Sequence, residues 1–345
     1  LLLSGIGDGD RHMALRVEEW RRGGKDEYRH HLSRLQNAVT DAPPDERPLA
    51  RRALAEFLFA HGLHVEALGV MDRVTADDPS INEDGAFRLM RAVANMRAGR
   101  VGEAAAEFDT TSLGDSPEAA LWRGMLAAER RLWTAAQQAF AAGVYVVDRY
   151  PPDLRAQFRL TMARTWIELK DARSARAELA ARDQDHASAT EKALASLHQG
   201  RAAALAGEPR DARKHFKQAV DSGDRRARPW AELALVDVEL AAGAMDKLAA
   251  IEGLEKLRFS WRGDEFEFRL LDRLGHLHIE AGNYRDGFTL LREAAVIYPE
   301  EPRTPAIIQD LRAEFARLFL DGEADRLPPL VGLGLFYEFR EFTPA

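Results

Sequence analysis

The stretch Leu274-Gly275-His276-Leu277-His278-Ile279-Glu280-Ala281-Gly282-Asn283-Tyr284-Arg285-Asp286-Gly287-Phe288-Thr289-Leu290-Leu291 decides the fold. A small residue, Gly275, is followed seven positions later by Gly282. Another small residue, Gly287, lies five positions beyond, and a large apolar one, Leu291, four further on, with Ala294 and Pro299 closing the unit. The same spacing recurs as Ala55, Gly62, Ala67, Met71 and Pro79, and again as Gly200, Gly207, Ala212, Phe216 and Ala219. Self-similarity at a fixed period of about 20–50 residues marks a stacked-repeat architecture. The frame starts near residues 48, 85, 117, 156, 193, 229 and 268, at spacings of 37, 32, 39, 37, 36 and 39 residues.

A helix, a tight turn and a second helix explain the pattern. Two antiparallel helices approach closely only where side chains are small. Ala55, Ala92, Gly124, Ala163, Gly200 and Gly275 stand at that position in the first helices, and Ala67, Ala104, Ala136, Ala175, Ala212 and Gly287 in the second. Phe108, Phe140, Leu179, Phe216 and Leu291 then fill the gap to the next repeat. Gly62, Gly99, Gly207, Gly243 and Gly282 suit the left-handed residue that ends a helix. Pro79 and Pro299 stop the second helix, because proline cannot continue its hydrogen-bond ladder. One such hairpin cannot bury its own apolar face, and stacked neighbours complete the core.

With Leu-Gly early, Gly before the second helix, small residues within it and Pro at its end, the chain resembles the tetratricopeptide-repeat (TPR) family, whose unit is about 34 residues. The resemblance implies an all-α fold, a right-handed α-solenoid of TPR-like helix-turn-helix repeats. About seven of them cover residues 48–301. Spacings mostly above 34 predict elongated turns between repeats. Three copies depart from the pattern: Arg131 takes the Gly position of the 117 frame, Pro209 the aromatic position of the 193 frame, and Leu248 and Glu252 the small and aromatic positions of the 229 frame.

Residues 1–47 read as an N-terminal helical hairpin and linker, with helices over 10–22 and 26–39 broken at Gly23-Gly24 and a turn at Asp41-Ala42-Pro43-Pro44-Asp45. Residues 302–345 read as a further hairpin, a helix over 304–320 and a last one opened by Leu327-Pro328-Pro329. Leu333, Leu335, Phe336, Phe339 and Phe342 crowd the final stretch, so truncation is expected there. The start without Met implies processing or a fragment.

Composition narrows the function. The 345 residues include 58 Ala and no Cys, which favours helices and excludes disulfides, thiolate nucleophiles and Cys-ligated metal. The longest apolar run, Ala139 to Val147, is far too short to cross a bilayer. A net charge of −8 argues against bulk nucleic-acid affinity. The charge is uneven: −4 over residues 1–150, +5 over 151–230 and −9 over 231–345. The bias of 41 Arg to 7 Lys fits a GC-rich bacterial genome, and the lack of Cys fits an oxidising periplasm. A periplasmic location is therefore favoured over a cytoplasmic one.

Catalytic motifs are missing. There is no Gly-rich loop ending in Lys-Ser or Lys-Thr, no His-Glu-x-x-His and no Gly-x-Ser-x-Gly. Gly5-Ile6-Gly7-Asp8-Gly9-Asp10 lacks the context of a phosphate or calcium loop and reads as a linker. His61 and His64 straddle the Gly62 turn with no third ligand, His276 and His278 face different sides of their helix, and His30-His31 are adjacent. No enzyme activity, metal or cofactor is expected.

The resemblance places positions 2, 5, 9 and 12 of each first helix on a concave groove. Position 9 reads Glu56, Val93, Met125, Arg164, Arg201, Asp237 and His276; further inward candidates are Arg52, Met96, Trp122, Trp230, Arg269, Asp272 and Ile279. Trp and Arg are enriched among binding hot spots, although Trp122 and Trp230 serve equally well as inter-repeat core. The Lys and Asn of the family's chaperone-tail clamp are missing. Arg164 and Arg201, in the net-basic section, suit an acidic peptide or acidic helix face. The implied function is a noncatalytic scaffold or adaptor for a protein or peptide, in a bacterial envelope assembly such as motility, secretion or cell-wall machinery. The alternatives are the targeting domain of a larger enzyme and a ligand-sensing regulator.

Overall fold

A computed structural model describes residues 13–23, 26–181, 187–260 and 263–343. The Gly5–Asp10 linker and Gly24 lie outside the described residues. Among the described residues every regular element is helical. Two helices come first, α1 (Val17–Arg21) and α2 (Tyr28–Asp41). Seven hairpins follow: α3 (Arg47–Ala60) with α4 (His64–Asp77), α5 (Gly85–Arg97) with α6 (Val101–Phe108), α7 (Pro117–Glu129) with α8 (Trp133–Gly143), and α9 (Pro152–Glu168) with α10 (Ala172–Ala181). The series continues with α11 (Ala189–Leu205) and α12 (Pro209–Asp221), α13 (Arg228–Ala241) and α14 (Lys247–Ser260), and α15 (Asp264–Glu280) and α16 (Tyr284–Ile297). Finally come α17 (Thr304–Phe319) and α18 (Pro329–Glu338). Each first helix begins within four residues of a frame start. The chain divides into two compact units, residues 1–198 and 199–345, each with its own apolar core.

One turn chemistry joins the hairpins. In the first, Gly62 adopts a left-handed φ of +78°, and the backbone N–H of Leu63 donates to the carbonyl of Leu58 at 3.0 Å. That bond satisfies a carbonyl the helix end would otherwise leave free. The same five-residue-back bond recurs from Arg100 to Asn95, Leu132 to Ala127, Asp171 to Trp166, Glu208 to Ala203, Ala244 to Glu239 and Asn283 to His278. Arg131 and Lys170 hold the turn slot at φ +58° and +64°, so the geometry is imposed by packing even where glycine is absent.

The small residues sit where they are needed. A methyl group added at Gly200 would run into the ring of Phe216, and one at Gly124 into Phe140. The extra residues between repeats become 3₁₀ turns: Pro79–Glu83, Thr111–Leu113 and Val144–Arg149. The 229 frame has a different cause for its mismatch. Its turn spans residues 242–246, two more than elsewhere, so the closely packed residues become Ala250 and Leu254, while Leu248 lies exposed.

The N-terminal segment departs from the expected helical hairpin. Of the described part of 10–22 only Val17–Arg21 is helical. The residues before it form no regular element, and their backbone N–H groups find tertiary partners instead.

Candidate functional site

In unit 1 the N-terminal strap, residues 13–23, lies on the face made by the first helices α3, α5, α7 and α9. Leu15, Val17 and Trp20 are buried in the unit 1 core, with the Trp20 ring edge-on to Phe59 at 6.1 Å. The anchor is Glu118, in the first turn of α7 and only 5% exposed. Its Oε2 accepts the backbone N–H of Ala14 at 2.7 Å, and its Oε1 accepts that of Leu15 at 3.2 Å and the Tyr150 hydroxyl at 2.5 Å. Trp122, one turn along α7, donates its indole N–H to the same hydroxyl at 2.6 Å. Among the described residues its hydrogen-bond donors are neutral, and the Arg149 charge acts on it as well.

Burial pushes the Glu118 carboxyl above the usual range, while Tyr150 and the two backbone N–H groups pull against that shift. The Tyr150 hydroxyl is raised well above its ordinary value by its own burial and by the adjoining carboxylate. Chemically, Glu118 can hold an extended chain by its backbone, since consecutive N–H groups belong to any non-proline sequence. The strap's far end is fixed as well. Arg21 reaches Asp153 of α9 at 2.7 Å and Glu18 at 3.4 Å, and the His61 Nε2–H donates to the Arg21 carbonyl at 3.0 Å. His64 packs edge-on against Phe59 at 5.3 Å; burial first, then the neighbouring Arg97, lower its pKa to about 4.

The residues singled out in the sequence fall in several places. Arg52 bonds Glu56 at 3.1 Å and Asp84 at 2.6 Å, which ties α3 to the N-cap of α5. Burial opposes ionisation of Asp84, but Arg52 and the Ala86 and Phe87 N–H groups outweigh it and hold the carboxyl low. Met96 and Met125 are buried. Trp122, 1% exposed, packs against Tyr150 and Phe158 and also faces a cavity on the strap side. The Arg164 guanidinium lies 5.2 Å from the Trp133 ring centroid.

In unit 2, Arg201 is half-buried on α11, and Trp230 packs edge-on to Phe266 at 5.3 Å. Asp237 is exposed and accepts from Arg273 at 2.6 Å, while Arg269 lies 3.5 Å from Glu265. Asp272 and His276 come together: Asp272, 4% exposed, meets Arg303 at 3.0 Å and the His276 ring at 3.1 Å, and His276 reaches Asp310 at 3.4 Å. Hydrogen bonding to Asp272 is the main cause that raises the His276 pKa. Among the described residues no three His, Cys, Asp or Glu side chains group as metal ligands.

Glu118, Tyr150 and Arg21 were not among the sequence candidates. Glu118 had a signal, since it stands at position 2 of the frame that starts at 117. Tyr150 and Arg21 stand outside the repeat positions and had none.

No protein-family model and no curated protein matches the chain. Solved structures do. A tetratricopeptide-repeat protein from Parabacteroides merdae ATCC 43184 is 11% identical, with a TM-score of 0.53, covering 83% of this chain and 99% of that one. A Rap protein complexed with competence and sporulation factor is 14% identical, TM-score 0.51, covering 92% and 100%. The apo form of RapI is 10% identical, TM-score 0.51, covering 91% and 97%.

Proposed function

We propose, from a chain that has the tetratricopeptide-repeat fold, that it is a noncatalytic interaction scaffold whose unit 1 face holds an extended segment of a protein partner. The observation that supports this is the strap. Residues 14–20 already lie on that face, with two backbone N–H groups on Glu118 and three apolar side chains in the core. A partner segment of the same chemistry competes for the same acceptor and the same pockets. That is recognition by backbone bonds for affinity and side-chain pockets for specificity. The Rap protein with this fold was solved in complex with competence and sporulation factor, which is consistent with partner binding by such folds.

Arg164, in the net-basic section, adds the expectation of acidic residues in the partner beyond the strap pockets. Absence of Cys supports a place in a bacterial envelope assembly facing an oxidising compartment.

The test uses a Val17→Asp variant, in which a charge at a buried position lifts the strap. A labelled peptide of residues 13–23 should bind this variant in trans by fluorescence anisotropy, and adding Glu118→Ala should abolish that binding. The lifted variant should also capture a partner from the native bacterium by crosslinking more efficiently than the wild type. A folded Val17→Asp protein that takes up neither peptide nor partner contradicts the reading.

A further inference from the structure

Between the strap and the first-helix face of unit 1 lies a cavity of about 610 Å³. Val17, Phe59, Val93, Trp122 and Leu154 supply an apolar wall. Its polar groups are unequally matched. Arg21 is paired with Glu18 and Asp153, and His61 is engaged with the Arg21 carbonyl. Arg97 of α5 is different. Its guanidinium lies 5.3 Å from the Trp122 ring centroid, and its Nη2 donates to the Gln157 side-chain oxygen at 2.8 Å. Among the described residues no carboxylate forms an ion pair with it, although Glu129 and Asp153 act on its charge from farther away.

We propose that this cavity is a binding site for a small apolar monocarboxylic acid. The acid's carboxylate sits on Arg97 and its ring or hydrocarbon chain lies against Phe59, Val93 and Trp122. Three considerations define the class. A guanidinium has five N–H donors in a planar fork that fits a carboxylate, and Gln157 uses one of them. The volume falls in the range of sites for small molecules, roughly 300–1,000 Å³, and apolar walls with a few polar groups are typical of them. The strap itself forms a wall through Val17, Glu18, Arg21 and Gly23, so a chain of several residues meets it. Asp153 and Glu18 on the rim disfavour a second negative charge on the ligand.

The site carries its own reporter. His64 lines the same cavity and titrates at about 4, held down by burial and then by Arg97, with Glu66 opposing. Among the described residues the other charged groups around the cavity are Glu18, Arg21 and Asp153, and Glu129 of α7 also acts on Arg97. An anion on Arg97 offsets part of the Arg97 charge, so the His64 imidazole resonances should titrate at higher pH when the site is filled.

Calorimetric titration of the full chain with naphthylacetate and with its neutral amide, naphthylacetamide, tests the proposal. The acid should bind about tenfold tighter than the amide or better, because only the carboxylate adds a second charge and a bidentate pairing with the guanidinium. Arg97→Gln should remove the preference by weakening the acid at least tenfold more than the amide, while Arg97→Lys keeps part of it; thermal melts establish that both variants fold. Should Arg97→Gln fail to fold, the acid-to-amide ratio of the wild type and the His64 shift decide. Equal binding of acid and amide, no binding of the acid at millimolar concentration, a preference that survives Arg97→Gln, or an unmoved His64 overturns the proposal. Tighter binding of the tetrapeptide Ala-Ala-Ala-Phe than of naphthylacetate overturns the assignment to small acids.

Discussion

Glu118 of unit 1 and Asp272 of unit 2 are both carboxylates on first helices, 5% and 4% exposed, yet they are stabilised by opposite means. Among the described residues the hydrogen-bond donors to Glu118 are neutral, with the Arg149 charge acting on it as well, and two of the three donors come from a segment more than one hundred residues away. Asp272 has the Arg303 cation at 3.0 Å and, on its own helix, the His276 ring, whose pKa it raises. A carboxylate removed from water needs either charge partners or several hydrogen bonds. Local cations make a closed cluster that has no need of another chain. Neutral backbone donors make a site that any extended segment can satisfy. Under the proposed function the exchangeable site therefore belongs to unit 1, and the Asp272 cluster of unit 2 is structural.

The largest effect expected is from Glu118→Ala. It strands the N–H groups of Ala14 and Leu15 and the Tyr150 hydroxyl inside the core, at about 3 kcal/mol in total. Chemical denaturation should show this loss together with rapid proteolysis of the strap. Asp272→Ala should cost less, about 1–2 kcal/mol, because Arg303 and His276 are partly exposed and water can solvate them once freed. A larger loss in unit 2 than in unit 1 would reverse the comparison.

The two units should also answer acid differently. His64 has a lowered pKa, so its contribution is complete above the ordinary value of 6.5 and is lost as pH falls toward about 4. His276 has a raised pKa, so its contribution is complete below 6.5 and is lost as pH rises through the folded value. The stability difference between wild type and His64→Gln should therefore rise with pH between about 4 and 6.5, and that between wild type and His276→Gln should fall with pH above 6.5. Parallel slopes would show that burial, not the named neighbours, governs both rings.

Much of the fold was legible in the sequence, because all the hairpins but that of the 229 frame repeat a steric requirement that small residues meet. Gly200 under Phe216 and Gly124 under Phe140 are direct examples. The 229 frame was misaligned for a local reason. Two extra turn residues move Ala250 and Leu254 into the slots assigned to Leu248 and Glu252. Arg131 looked like a weak match and still takes the left-handed conformation, since neighbouring packing fixes the turn.

The site was less legible, because the Glu118 acceptor matters only through a strap that no repeat position encodes. Trp122 was read as either groove or core; it is buried in the core and has one edge on the cavity. The smallest effect expected belongs to the turn: Lys170→Gly should change stability by no more than about 1 kcal/mol, relief of the positive φ being offset by a more flexible unfolded chain. Thermal unfolding checks it, and a loss above that range would show that the Lys170 side chain supports the hairpin.

The most direct test of the central claim is native-state hydrogen exchange at the backbone amides of Ala14 and Leu15. Both should be protected in the wild type and exchange freely in Glu118→Ala, while α7 and α9 amides keep their protection. Free exchange at both amides in the wild type, or protection that survives the loss of Glu118, would contradict the account of unit 1 as a face that holds an extended chain by its backbone.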